Sequence, residues 1–143
     1  MGVQAGQRGF ISSSQNEMNE SHLLGRRAED IAAEYLLSLG WKILERNAKN
    51  RYGELDITAL DGRELVIVEV RCRTIGEVQS ALDSIGSMKL RTLLRSSMFY
   101  VDGLGWEGFW RIDAIGITVK GKHLSDGWEL EHVKDITAGM EIR

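Results

Sequence analysis

The chain has 143 residues, 43% hydrophobic and 27% charged, and a formal net charge of -3 from 18 basic and 21 acidic side chains. One core can serve that length, so a single domain is expected, and one cysteine without a Cys/His cluster excludes a disulfide scaffold and a structural zinc site. No apolar run approaches the roughly 20 residues that span a bilayer, and residues 1–20 lack the apolar core of a signal peptide, so a cytoplasmic location without a membrane partner is expected.

Residues 1–20 are rich in Gly, Ser, Gln and Asn and read as a flexible tail, leaving 21–143 as the single folded domain. Ser21 is placed to cap a helix over residues 22–39, in which Leu24, Ala28, Ile31, Ala32, Tyr35, Leu36 and Leu39 keep helical spacing, and Gly40 ends it. A short strand at Trp41, Ile43 and Leu44 precedes a polar loop over 46–53. Residues 54–60 and 64–72 are strands joined by Asp61-Gly62, a strong hairpin signal. A second helix is expected from Val78 to Tyr100, then a glycine-rich turn and strands at 109–119 and 128–133. The order α-β-β-β-α-β-β predicts an α/β domain with a central mixed sheet flanked by helices.

The hairpin brings acids together. With Asp61-Gly62 as a two-residue turn, Leu60 faces Arg63, Asp56 faces Ile67 and Glu54 faces Glu69, so Glu54, Asp56, Ile67, Glu69 and Arg71 share one side of the sheet. Three carboxylates on one patch repel unless something positive lies among them. A divalent ion is one answer: magnesium takes oxygen ligands, and Asp56 and Glu69 are diagonal neighbours here. A cross-strand ion network of Glu54, Glu69 and Arg71 on a solvated strand face is the other, and hairpin geometry alone favours it.

Further residues carry a resemblance. Gly25-Arg-Arg-Ala-Glu29, Tyr35-Leu36, Gly40-Trp-Lys-Ile-Leu-Glu-Arg-Asn47, Gly53-Glu-Leu-Asp56-Ile and Val68-Glu69-Val-Arg71-Cys-Arg73, with Lys89 and Arg111-Ile-Asp113 further on, closely resemble the bacterial YraN family over about residues 22–119. That family is assigned to the restriction-endonuclease-like superfamily, with the PD-(D/E)XK signature, beside the Holliday junction resolvases. The resemblance implies a nuclease-like domain that binds Mg2+ or Mn2+ through Asp56 and Glu69, and Glu29 matches an acid that resolvase-like members carry on the first helix. It departs from the signature at Arg71, where the superfamily has lysine. Arginine stays protonated, so Arg71 can stabilise phosphate charge or orient water but cannot act as a general base. Two readings stand on that departure: a metal-dependent endonuclease acting on DNA, branched or otherwise structured, and a nuclease-fold module that binds nucleic acid without cutting it. Resolvase relatives are dimers, which adds a homodimer paired through the hairpin face as an expectation.

The charge is uneven. Residues 71–95 carry five basic against two acidic side chains, whereas 123–143 carry two basic against five acidic. Arg26, Arg27, Arg51, Arg73 and Lys89 are the expected phosphate-contacting residues around the acidic patch. Taken alone, Lys89 reads as a solvated helix residue. Trp106 and Trp110 flank the glycine-rich turn and are weaker candidates for base stacking, with Trp110, on a strand, reading rather as core. His22, His123 and His132 have no ligand spacing and receive no role, and Cys72 reads as a buried reduced thiol.

Overall fold

A computed structural model describes residues 13–76 and 80–138. Helix α1 spans Ser13–Ser38, followed by strands β1 (Lys42–Asn50), β2 (Gly53–Asp61) and β3 (Glu64–Thr74). A 3-10 turn at Leu82–Ser84 leads into α2 (Ser87–Gly103), then β4 (Trp110–Val119), a second 3-10 turn (Leu124–Asp126) and β5 (Trp128–Val133). The five strands form one sheet in the order β1-β2-β3-β4-β5. Only β3 and β4 run parallel, and α2 makes the crossover between them. This is the mixed α/β layout expected from the sequence.

Four boundaries differ from the sequence reading. The first helix reaches back to Ser13, so Ser21 lies inside it and not at its cap; Gln, Glu and Met in this stretch extend a helix at little cost. Residues 46–50 belong to β1 and not to a loop. An edge strand exposed on most of its length needs few apolar residues, which is why its polar sequence concealed it. The second helix starts at Ser87, because the chain first closes the 3-10 turn and leaves it through Ile85 and Gly86 in non-helical conformations; Val78 lies outside the described residues. The hairpin turn is Gly62-Arg63, with Asp61 paired to Glu64 and Gly62 at φ 59°. Glycine takes that left-handed conformation without strain.

The turn shift moves each partner by two residues, which preserves the face of every side chain but changes its neighbour. Ile57 pairs with Val68, and there the β2–β3 ladder ends. The next step along both strands brings Asp56 towards Glu69, in place of the expected Ile67.

Each side of the sheet carries one core. Under α1, Ala28, Ala32 and Leu36 pack against Ile57, Val66, Val68, Ile115 and Ile117. Under α2, Leu93 packs against Ala48, Leu55, Ile67 and Ile112. Leu55 and Ile57 are two residues apart yet enter opposite cores, so the alternation of β2 breaks at Asp56. Cys72 packs at the margin of the α1-side core, half-buried.

A polar network locks the other end of the sheet. Arg111 donates to Asp61 at 2.9 Å, to Glu64 and to Asp113 at 3.0 Å, tying the hairpin turn to β4. Asp113 is fully buried and also contacts His132 Nε2 at 2.9 Å, whose Nδ1 meets the Tyr35 hydroxyl at 3.0 Å. His132, which the sequence left without a role, thus joins β5 to α1.

Candidate functional site

The acids gather where the β2–β3 ladder opens. Val70 N–H donates to Asp56 Oδ2 at 2.8 Å, so this carboxylate takes over as acceptor just beyond the last backbone pair. Glu69, one residue earlier on β3, is buried at 3% exposure. Its Oε1 lies 3.9 Å from an Arg71 guanidinium nitrogen and 3.8 Å from Lys89 Nζ, while Oε2 is buried without a hydrogen-bond partner among the described residues. An orphaned carboxylate oxygen in a native interior calls for an explanation.

The electrostatics follow from this crowding. Burial pushes the Glu69 carboxyl up to about 7, with Asp56 adding to the rise and Lys89 and Arg71 opposing it. Asp56 is also raised, first by burial, against the Val70 hydrogen bond and the charge of Lys89. Glu29 on α1 is raised to about 6 by burial and then by Asp56, with Arg46 working the other way. The charge of Asp56 is therefore felt by acids on two other elements.

Asn47 completes the group from β1. Oriented to satisfy both partners, its amide donates to Glu29 Oε1 at 2.8 Å and Glu54 Oε1 at 2.9 Å. It holds a left-handed backbone at φ 55°, a conformation asparagine tolerates better than most residues. The sequence signal was there, an Asn inside the quoted Gly40–Asn47 run, but in an expected loop it had no partner to point at.

Arg71 is fixed from below. Its Nε donates to Ser84 Oγ at 2.9 Å, and Ser84 Oγ in turn donates to Ala81 O at 2.6 Å. The 3-10 turn that carries Ser84 lies on Gly116, the β4 partner of Arg71, where an added Cβ would stand 2.9 Å from Leu82 Cγ and 3.1 Å from Ala81 Cβ. The missing side chain at Gly116 lets the turn come this close. Ser84 and Gly116 had no signature in the sequence, since their roles need the β3–β4 register.

The structure thus brings Glu29, Asp56, Glu69, Arg71 and Lys89 into one electrostatic neighbourhood, with Glu54 and Asn47 on its edge. Lys89 is no longer merely a solvated helix residue, because it faces a buried carboxylate. Arg26 and Arg27 are exposed on α1, Arg51 sits at the β1–β2 turn, and Arg73 donates to Cys72 O at 3.1 Å. Among the described residues no three His, Cys, Asp or Glu side chains already converge on a common metal position. Magnesium needs fewer: it is commonly held by one or two carboxylates and water, and the orphaned Glu69 Oε2 beside Asp56 fits such an ion.

The family model described as "Uncharacterised protein family UPF0102" matches residues 28–117, a span that contains Glu29, Asp56, Glu69, Arg71 and Lys89. The chain belongs to this family. The same family carries the YraN name, in agreement with the resemblance read from the motifs. A UPF0102 protein of Chlorobium chlorochromatii is 38% identical over 122 residues, covering 84% of this chain and 95% of that protein. One from Marinobacter nauticus is 42% identical over 99 residues, covering 68% and 80% respectively. A third, from Thermotoga petrophila, is 39% identical over 104 residues, covering 72% and 94%. No helix among the described residues is long and apolar enough to cross a membrane.

Proposed function

We propose that this UPF0102 chain hydrolyses phosphodiester bonds in DNA with Mg2+ or Mn2+ held by Asp56 and Glu69. The observation that carries the reading is Glu69: a nearly inaccessible carboxylate with one oxygen unpartnered among the described residues, raised to about 7 by burial and then by Asp56, itself a raised acid. Arg71 and Lys89 approach only Oε1, which leaves the second oxygen as the one available to an ion. When bound, the ion supplies a water of lowered pKa and neutralises phosphate oxygens.

The chain's own residues supply the rest. Glu29, raised to about 6 and steadied through Asn47, orients the attacking water and takes its proton. The water oxygen bonds to phosphorus, the bond to one sugar oxygen breaks, and that oxygen leaves with a proton from solvent. Arg71, pinned by Ser84, stabilises the charge that builds on the phosphate oxygens, and Lys89 adds a second cation on the same side. Arg26, Arg27, Arg51 and Arg73 contact flanking phosphates. A second reading, a binding module that does not cut, is favoured by one feature: the signature lysine position holds Arg71, which cannot exchange a proton.

One comparison separates the two. Labelled junction, flap and linear DNA are incubated with the parent, Asp56→Asn and Arg71→Lys proteins, with and without manganese. Metal-dependent cleavage lost in Asp56→Asn is the expected result. DNA binding without cleavage by any of these proteins overturns the enzyme reading and leaves the module.

A further inference from the structure

We infer that an aromatic and arginine patch at the β1–β2 turn and on α2 is a stacking site for unpaired nucleotides of DNA. The inference rests on the nucleic-acid reading above and names the structural class of its substrate. Tyr52 and Phe99 meet edge to face with ring centroids 5.5 Å apart. The Arg51 guanidinium lies 4.8 Å from the Tyr52 ring centre and 5.8 Å from that of Phe99, and Arg95 lies 5.9 Å from Tyr52. Phe99 nevertheless remains 47% exposed.

Such a cluster has a defined chemistry. Among the described residues no carboxylate pairs with Arg51, Arg91 or Arg95, so their charge is available to phosphate. Exposed aromatic faces held by arginine planes accept a nucleobase by stacking, which every base can do and which only an unpaired base can reach. Double-stranded DNA hides those faces, so a platform of this kind is wasted on a blunt duplex.

The patch and the acidic site share α2. Met88, Arg91, Arg95 and Phe99 are spaced three or four residues apart and all exposed, which lines them along one face of α2. Met88, 81% exposed, adjoins Lys89, whose ammonium lies 3.8 Å from Glu69. On the other side, Tyr52 stands in the β1–β2 turn immediately before β2, the strand that carries Asp56. A single strand could therefore stack at Tyr52 and Phe99 while its backbone, or the duplex it leaves, passes the carboxylates.

Fluorescence anisotropy on the full chain in chelator tests this with two probes, labelled oligothymidylate and a labelled blunt duplex of equal length. The parent is expected to bind oligothymidylate more tightly than the duplex. Phe99→Ala is expected to weaken oligothymidylate binding roughly tenfold, the scale of one lost base–aromatic stack, with duplex binding changed by less than about twofold. Arg51→Gln should weaken the same probe, and Phe99→Trp should restore the parent affinity. Phe99 is exposed, so its loss leaves the core intact, and circular dichroism verifies the fold. Equal binding of oligothymidylate by parent, Phe99→Ala and Arg51→Gln overturns the inference. Patch-dependent single-strand binding with no cleavage overturns the hydrolysis reading alone, whereas cleavage indifferent to the patch overturns the stacking site alone.

Discussion

Asp56 Oδ2 accepts a hydrogen bond from Val70 N–H at 2.8 Å, so one carboxylate both closes the open end of the β2–β3 ladder and belongs to the acidic site. Asparagine separates the two tasks, because its amide oxygen accepts the same bond without the charge. Asp56→Asn should fold, match or exceed the parent in melting temperature in chelator at neutral pH, and lose metal-dependent cleavage. Asp56→Ala leaves the Val70 amide without its partner and should be about 1–2 kcal/mol less stable than Asp56→Asn by urea unfolding.

Stability should depend on pH through Glu69 and Glu29. Both carboxyls are raised in the folded chain, to about 7 and about 6, above their ordinary value of 4.5. Below about pH 4.5 they are protonated in both folded and unfolded chains and exact no penalty. Between 4.5 and 7 the unfolded carboxylates ionise freely while the folded ones resist, so the stability these groups contribute at low pH is lost as pH rises. Melting curves in chelator from pH 5 to 8 should show this decline; Glu69→Gln should flatten it, and so should Mg2+ or Mn2+ added to the parent. An identical slope in Glu69→Gln would refute the assignment.

Much of this site was legible before the fold was known. Glu54, Asp56, Glu69 and Arg71 came from strand alternation and the hairpin, and the motif resemblance added Glu29. The hairpin turn lies one residue beyond the expected position, which moves partners by two and brings Asp56 nearer to Glu69 without changing faces; the break at Asp56, which sends Leu55 into the core opposite that of Ile57, had no signal in the sequence. Asn47, Ser84 and Gly116 stayed hidden for a physical reason. Each acts across a contact between elements distant in sequence, and β1 itself looked like a loop because an exposed edge strand has no apolar alternation to display.

Arg71 should matter for rate and not for folding alone. Arg71→Ala is expected to reduce cleavage about 100-fold or more, the scale of one lost charge-stabilising donor, with little change in DNA affinity. Arg71→Lys keeps the charge and installs the lysine that the resemblance to nucleases implies at this position, so its activity should equal or exceed the parent's. Single-turnover cleavage beside a binding titration distinguishes the two effects.

Gly116 offers a route to the same arginine through packing. In Gly116→Val the new side chain collides with Leu82 and Ala81, displacing the turn that carries Ser84. The cost should be about 1–3 kcal/mol, as in other overpacked sites, with turnover falling more than substrate affinity. Normal turnover in a folded Gly116→Val protein would show that Ser84 does not position Arg71.

The Arg111 network should separate fold from chemistry. Arg111→Met removes the cation bound to the fully buried Asp113, and a loss of about 3–5 kcal/mol is expected by denaturant unfolding. At temperatures where that variant remains folded, its cleavage rate should match the parent's.

The parallel pairing of β3 with β4 also sets when the site can exist. Glu29, Asp56, Glu69 and Lys89 lie on four elements, and all four are synthesised before β4, which seats Glu69 beside Ala114 and supports the turn beneath Arg71. Long-range parallel pairing is slow to form. A nascent chain therefore holds every acid of the centre and no centre, which assembles only after most of the chain's length has emerged and closed.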